Sequence, residues 1–169
     1  MFKRVTRGVT VDREVQWQTS VVINAPIADV WEAIADLSLI PSYHPVVKRV
    51  EYVSGETRRA PGVAYKCIIP EGRQRGWCVE KVVDCIPNQR MSVSIDGDSW
   101  GMSRMFEDFL AETVLEPSGA QATRVRLTAY YTPRGFRSRL LNLLVLRRMM
   151  RTRARQTIEG FKRLVECQS

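Results

Sequence analysis

The chain has 169 residues, 44% of them apolar, with 26 Lys and Arg against 18 Asp and Glu and a formal net charge of +8. This length suits one domain that buries about two-thirds of its unfolded surface, and no stretch approaches the ~20 uncharged apolar residues a membrane span needs. Cys67, Cys78, Cys85 and Cys167 lack CxxC spacing and His44 is the sole imidazole, so no metal and no cofactor are expected. Cys67 and Cys78 could face each other across a hairpin, but the cysteines are read as buried thiols.

Residues 1–12 read as a basic N-terminal arm, and 13–169 as a single domain. The opening Met-Phe-Lys-Arg-Val-Thr-Arg lacks the apolar region of a signal peptide, which predicts a cytoplasmic location. Glu14 to Ile23 alternates as a first strand. Pro26 suits a first helical turn and Asp29 its positive end, while Ile27, Val30, Trp31 and Ile34 recur at helical spacing. A second short helix is predicted over Leu37 to Tyr43, ended by Pro41 and Pro45.

From Val46 onward the period changes to two. Val46 to Val53, Gly62 to Ile69, Gly76 to Ile86, Arg90 to Ile95, Arg104 to Leu115 and Thr123 to Tyr131 read as six strands. Turn residues such as Ser54-Gly55, Pro87-Asn88 and Pro117-Ser118-Gly119 separate them. Connections this short imply an antiparallel meander. Thr132-Pro133 is predicted to open a long last helix, with Thr132 as its cap. At ~100° per residue, Phe136, Leu143, Met150, Ala154, Phe161 and Val165 fall in one arc, flanked by Leu140, Leu146, Ile158 and Leu164, which is expected to lie on the sheet.

The segment Ile23-Asn-Ala-Pro-Ile-Ala-Asp-Val-Trp-Glu-Ala-Ile-Ala-Asp36, continued by Pro41-Ser-Tyr-His-Pro45, Val50 and Gly55, resembles the opening pattern of the START-like helix-grip superfamily, also called SRPBCC. That superfamily includes lipid-transfer domains, polyketide cyclases and dehydrases, and quinone-binding chaperones. The resemblance implies an α+β helix-grip fold: a seven-stranded curved antiparallel sheet wrapped around the C-terminal helix, with two short helices between strands 1 and 2. It also implies an apolar cavity between sheet and helix. The expected function is binding or transport of a hydrophobic small molecule such as a lipid, quinone or polyketide-like compound. Alternatives are a polyketide aromatase/cyclase or dehydratase, and a protein interaction module using the basic last helix.

Aromatic and methionine residues on the strands, with two positions on the helix, are the candidate ligand-binding set: Tyr65, Trp77, Trp100, Met105, Phe109, Tyr131, Leu143 and Met150. Alternation leaves two choices of face for each strand, and Trp77, Met105, Phe109 and Tyr131 are preferred as lining. His44 is a catalytic candidate as the only imidazole, with packing in the proline-flanked turn as the alternative. Glu80, Asp84, Glu107, Asp108 and Glu112 could supply a buried carboxylate, although a solvated convex face is the expected place for strand acids.

The last helix carries the charge. Arg134, Arg137, Arg139, Arg147, Arg148, Arg151, Arg153 and Arg155 fall within 22 residues that contain no acid. Arg147 lies about 40° from the centre of the apolar arc, so it either snorkels outward or meets an acid or ligand oxygen inside, where it is the second catalytic candidate. Leu141, Leu144, Val145 and Met149 point away from that arc. This ridge, with Arg148, Arg151 and Arg155, suits a dimer contact, a covering loop, or peripheral contact with anionic membrane. No helix-turn-helix or zinc-finger pattern accompanies the charge, so nucleic acid is not an expected partner. The oligomeric state, monomer or homodimer, is left open.

Overall fold

The computed structural model describes residues 14–71 and 74–168. Seven antiparallel strands, β1 (Val15–Ile23), β2 (Arg49–Tyr52), β3 (Ala64–Glu71), β4 (Gln74–Ile86), β5 (Arg90–Asp98), β6 (Phe106–Pro117) and β7 (Thr123–Pro133), form one sheet in the order β1-β7-β6-β5-β4-β3-β2. The six later strands follow one another as a meander, because their connections are too short to cross over. β1 closes against β7 at the other edge. The predicted basic arm lies outside the described residues.

Two helices separate β1 from β2, as expected. In α1 (Ile27–Ala35), Val30, Trp31 and Ile34 recur at helical spacing and are buried. The predicted second helix is a 3₁₀ turn, Leu37–Leu39, followed by α2 (Ile40–Tyr43). Asp36 caps that turn, accepting from the Ser38 backbone N–H at 2.8 Å and the Ser38 hydroxyl at 2.7 Å.

A further turn of helix, α3 (Met102–Met105), precedes β6 where a strand was expected to begin at Arg104. Asp98 explains it. Its carboxylate accepts from the backbone N–H groups of Trp100, Met102 and Ser103 at 2.8 to 2.9 Å. Burial works to raise the Asp98 carboxyl, but these bonds prevail and hold it below its ordinary value.

The last helix differs from expectation in two ways. It begins at Gly135, with Arg134 rather than Thr132 at the cap position, because Thr132 and Pro133 continue β7 opposite Glu107 and Phe106. It is also irregular: α4 (Gly135–Leu141) runs into a π-helical turn, Asn142–Leu146, before α5 (Arg147–Gln168). A π turn uses more residues per revolution, so an apolar arc drawn at constant pitch loses phase across it. Ala154, Ile158, Phe161 and Val165 are buried as the arc requires, whereas Phe136 is 79% and Leu143 68% exposed.

α5 is fastened to the sheet and to α2. Lys162 Nζ donates to the Val22 carbonyl at 2.6 Å, and Glu166 accepts from the Asn24 backbone N–H at 2.8 Å. Tyr43 meets Phe161 edge-on at 5.1 Å between centroids. Gly160 allows this approach, since a Cβ there would lie 2.2 Å from the Tyr43 carbonyl oxygen.

The buried apolar residues form two clusters. One surrounds α1 and the end of α5, with Ile23, Val30, Leu37, Tyr65, Val82 and Phe161 among its members. The other joins Trp17, Phe106, Ala129, Tyr131 and Ala154 near the start of α5, with Met105, Phe109, Leu146 and Met150 packed on it.

Candidate functional site

The concave face carries a half-buried polar network on β3 and β4. Tyr65 is fully buried and stands opposite Glu80, to which its hydroxyl donates at 2.5 Å. Arg59, in the loop before β3, donates from Nε to the Tyr65 oxygen at 3.0 Å and from a terminal nitrogen to the Ile34 carbonyl at 2.5 Å. Its guanidinium also interacts with Tyr43. Burial opposes the charge on Arg59, but the phenols of Tyr65 and Tyr43 and the Glu80 carboxylate more than offset it, so the side chain is held cationic. Burial pushes the Tyr65 phenol well up, despite the opposing pull of Arg59.

Two thiols adjoin this network. Cys67 and Cys78 are direct cross-strand partners, and both are free. The hydrogen bond that the Cys67 thiol makes to Cys78, with burial behind it, pushes that thiol far up. Both sulfurs and a Glu80 carboxylate oxygen lie within 4.8 Å of one another, which makes these three the described residues able to approach a metal ion together. Strand pairing thus brings together donors that lack a metal-binding spacing in sequence.

A transverse row of the sheet links the network to a pocket. Glu80 is the β5-side partner of Ile95 and the β3-side partner of Tyr65. Ile95 lines a cavity of about 240 Å³ whose apolar side is Met102, Phe106 and Phe109 and whose polar side includes Ser103, Glu107, Asp108 and Arg134, where α3 and the start of β6 form the rim. Asp108 holds a positive φ of 53° at the irregularity between Glu107 and Leu110, which turns this part of β6 out of the regular ladder.

Four of the predicted ligand-binding residues converge beside this cavity. Phe109 stacks on Tyr131 at 5.4 Å, and Met105 and Met150 pack on the same cluster. The Tyr131 hydroxyl donates to Asn142 Oδ1 at 2.9 Å, and Asn142 Nδ2 donates to Gln16 Oε1 at 3.1 Å, all three residues being buried. Burial, partly opposed by Arg147, raises the Tyr131 phenol to about 12. Both Gln16 and Trp17 reach this region because an irregularity between Val15 and Trp17 turns consecutive side chains inward. Among the described residues, the buried Trp17 Nε1 lacks a hydrogen-bond partner.

The other predicted site residues are distributed differently. Tyr65 belongs to the polar network. Trp77 pairs with Ile68 on the face opposite Cys67 and Cys78, under Lys66 at 4.6 Å, so it does not line the concave side. Trp100 covers Gly76, where a Cβ would come within 2.4 Å of its ring. Leu143 and Arg147 are exposed. His44 Nδ1 accepts from the backbone N–H groups of Val46 and Val47 at 3.3 and 3.1 Å. Burial, reinforced by Arg153 and Arg59, lowers His44 to about 4, so its ring is neutral at pH 7 with Nδ1 already engaged.

Arg59 and Tyr43 were not singled out in the sequence. Arg59 sits in a polar loop with no periodicity, and only the fold carries it beneath the helices. Glu80 departs from the solvated convex position expected of strand acids. Its alternation with Val82 and Cys78, both apolar, was the available signal.

The sequence family described as polyketide cyclase / dehydrase and lipid transport matches residues 14–166. No curated protein matches significantly. Among solved structures, the chain is similar to a norcoclaurine synthase point mutant from Thalictrum flavum, solved with a transition-state analogue (TM-score 0.71, 14% identity, 96% of this chain and 100% of that one). It is also similar to the Zhui aromatase/cyclase from Streptomyces sp. R1128 (TM-score 0.67, 14% identity, 89% and 92%). A START superfamily protein from Mycobacterium smegmatis gives a TM-score of 0.61 at 14% identity, covering 90% and 94%. At these identities the likeness is one of fold.

Proposed function

Because the chain belongs to the polyketide cyclase/dehydrase and lipid transport family, we propose that it binds a hydrophobic small molecule between the concave sheet face and the C-terminal helix. The observation that carries this reading is the row Tyr65–Glu80–Ile95, which sets a satisfied polar network beside a pocket of mixed lining whose apolar wall is Ile95, Met102, Phe106 and Phe109. A ligand with one oxygen on a largely apolar body matches both halves. Its body meets Ile95, Phe106 and Phe109, and its hydroxyl donates to the Glu80 carboxylate, with the orphan Trp17 N–H as a donor in the neighbouring cluster. The cavity of about 240 Å³ is below the usual range for a drug-sized ligand, which favours a small ring system or the end of a longer chain.

A second reading, cyclisation or dehydration of a polyketide-like substrate, draws on the same network. Tyr65 donates to one oxygen of Glu80 under the field of Arg59, an arrangement that orients the carboxylate and leaves its other oxygen to accept a proton from a substrate. Native mass spectrometry of protein purified from its own host tests the first reading by the mass of a co-purified ligand. Loss of that ligand from Phe109→Ala and from Glu80→Leu supports binding at this site. Retention by both folded variants places the ligand elsewhere. Turnover of an isolated ligand, abolished by Glu80→Gln with binding intact, makes the enzymatic reading the better one.

A further inference from the structure

We propose that the first half of the C-terminal helix is a docking surface for an anionic phospholipid bilayer. Helices that are apolar all round are normally buried, and this segment is not. Phe136, Leu140, Leu143, Leu144, Val145 and Met149 are between 45% and 79% exposed, and only Asn142 is buried from Arg134 to Arg151. The π turn accounts for the arrangement. It sends Asn142 inward to Tyr131 and Gln16 and leaves the neighbouring leucines facing outward.

The charge on this segment selects the partner. Eight arginines lie between residues 134 and 155 without an acid. Among the described residues, only Arg134 and Arg155 have ion-pair partners, Glu107 and Glu159. Arg148, Arg151 and Arg155, the last paired with Glu159, line a cleft of about 670 Å³ against Gln18, Thr19 and Ser20 of β1, an edge strand, so Arg148 and Arg151 give it its net positive charge. A cationic cleft with hydroxyl and amide groups on its other wall suits a phosphate headgroup, while the adjacent apolar ridge suits the acyl boundary. Such a helix lies in the interface, and among the described residues no helix is long and apolar enough to cross a membrane.

The alternatives fit the charge less well. A two-fold dimer through this face would set the arginine strip against its own copy. The N-terminal arm carries Lys3, Arg4 and Arg7 against Asp12 and would bring more positive charge to the helix. Nucleic acid would engage the arginines but leave the leucines in water.

The test is sedimentation of the full chain with phosphatidylcholine vesicles, with and without phosphatidylglycerol. Binding should require the anionic lipid and weaken with salt. The double variant Arg148→Gln/Arg151→Gln should lower partitioning by about 25-fold, at roughly fivefold per arginine. Leu143→Ser/Leu144→Ser should lower it too, and neither pair should disturb folding because all four side chains are exposed. Equal binding to both vesicles, or none, overturns the proposal. So does a concentration-dependent dimer that Leu143→Ser/Leu144→Ser abolishes, or vesicle binding that appears only after residues 1–12 are deleted.

Discussion

Tyr65 and Glu80 face each other across β3 and β4, and the phenol donates to the carboxylate at 2.5 Å while accepting from Arg59 at 3.0 Å. A single hydroxyl therefore joins a half-buried cation to an acid on the concave face. In Tyr65→Phe both Arg59 and Glu80 lose that partner, so the change should cost about 1–3 kcal/mol. Urea unfolding of Tyr65→Phe, Glu80→Gln and the double variant should give a coupling of about 1–2 kcal/mol. Strict additivity would show that the two groups do not act together.

The strand face decides which aromatics meet a ligand. Phe109→Ala should weaken binding of a fluorescent apolar probe and cost about 3 kcal/mol, since it opens a cavity next to Tyr131. Trp77→Ala should leave probe affinity unchanged, because Trp77 lies on the opposite face. A fall in affinity only with Trp77→Ala would reverse this assignment.

His44 should make stability depend on pH. Its folded value of about 4 lies below the ordinary 6.5, chiefly through burial, so between these values the unfolded chain binds the extra proton. Stability from this group is complete above about pH 6.5 and is lost as pH falls toward 4, by about 3 kcal/mol. His44→Asn keeps an acceptor for Val46 and Val47 but cannot titrate. Denaturant unfolding across this window should show a shallower slope for the variant than for the wild type. Parallel slopes would refute the titration.

Gly160→Ala places a methyl group against the Tyr43 carbonyl, 2.2 Å away before relaxation. Backbone on both sides limits relief, so the variant should lose about 1–3 kcal/mol. An unchanged urea midpoint would mean that α2 moves freely from α5.

Thiol reactivity should follow burial and proton affinity. Cys167 is exposed and Cys67 is buried with its thiol held protonated by Cys78 and its surroundings. Iodoacetamide labelling followed by intact mass and peptide mapping should therefore modify Cys167 first and Cys67 only after unfolding. Early modification of Cys67 in the native protein would contradict the burial.

The order of elements was legible because periodicity is local. Alternation from Val46 to Tyr131 and short turns specify an antiparallel meander, and Val30, Trp31 and Ile34 specify the inner face of α1. Of the apolar residues marked as ligand-binding, Met105, Phe109, Tyr131 and Met150 meet in one cluster, whereas Tyr65, Trp77, Trp100 and Leu143, chosen on the same apolar character, lie elsewhere. Absolute facing was not local. Alternation already set Trp77 and Glu80 on opposite faces of β4, but which of the two faced inward was decided only when pairing with β3 put Glu80 against the buried Tyr65 and Trp77 against Ile68. The π turn likewise rotated Phe136 and Leu143 out of an arc that assumed constant pitch. Arg59 and the Cys67–Cys78 pair depended on contacts between separate segments: Arg59 acquires its role only when its loop passes beneath α1 and α2, and the thiols meet only when β3 pairs with β4. Composition and period set the elements by themselves, while the tertiary structure decided which side chains share the concave face, because inserted residues and long-range pairing change orientation without changing the local pattern.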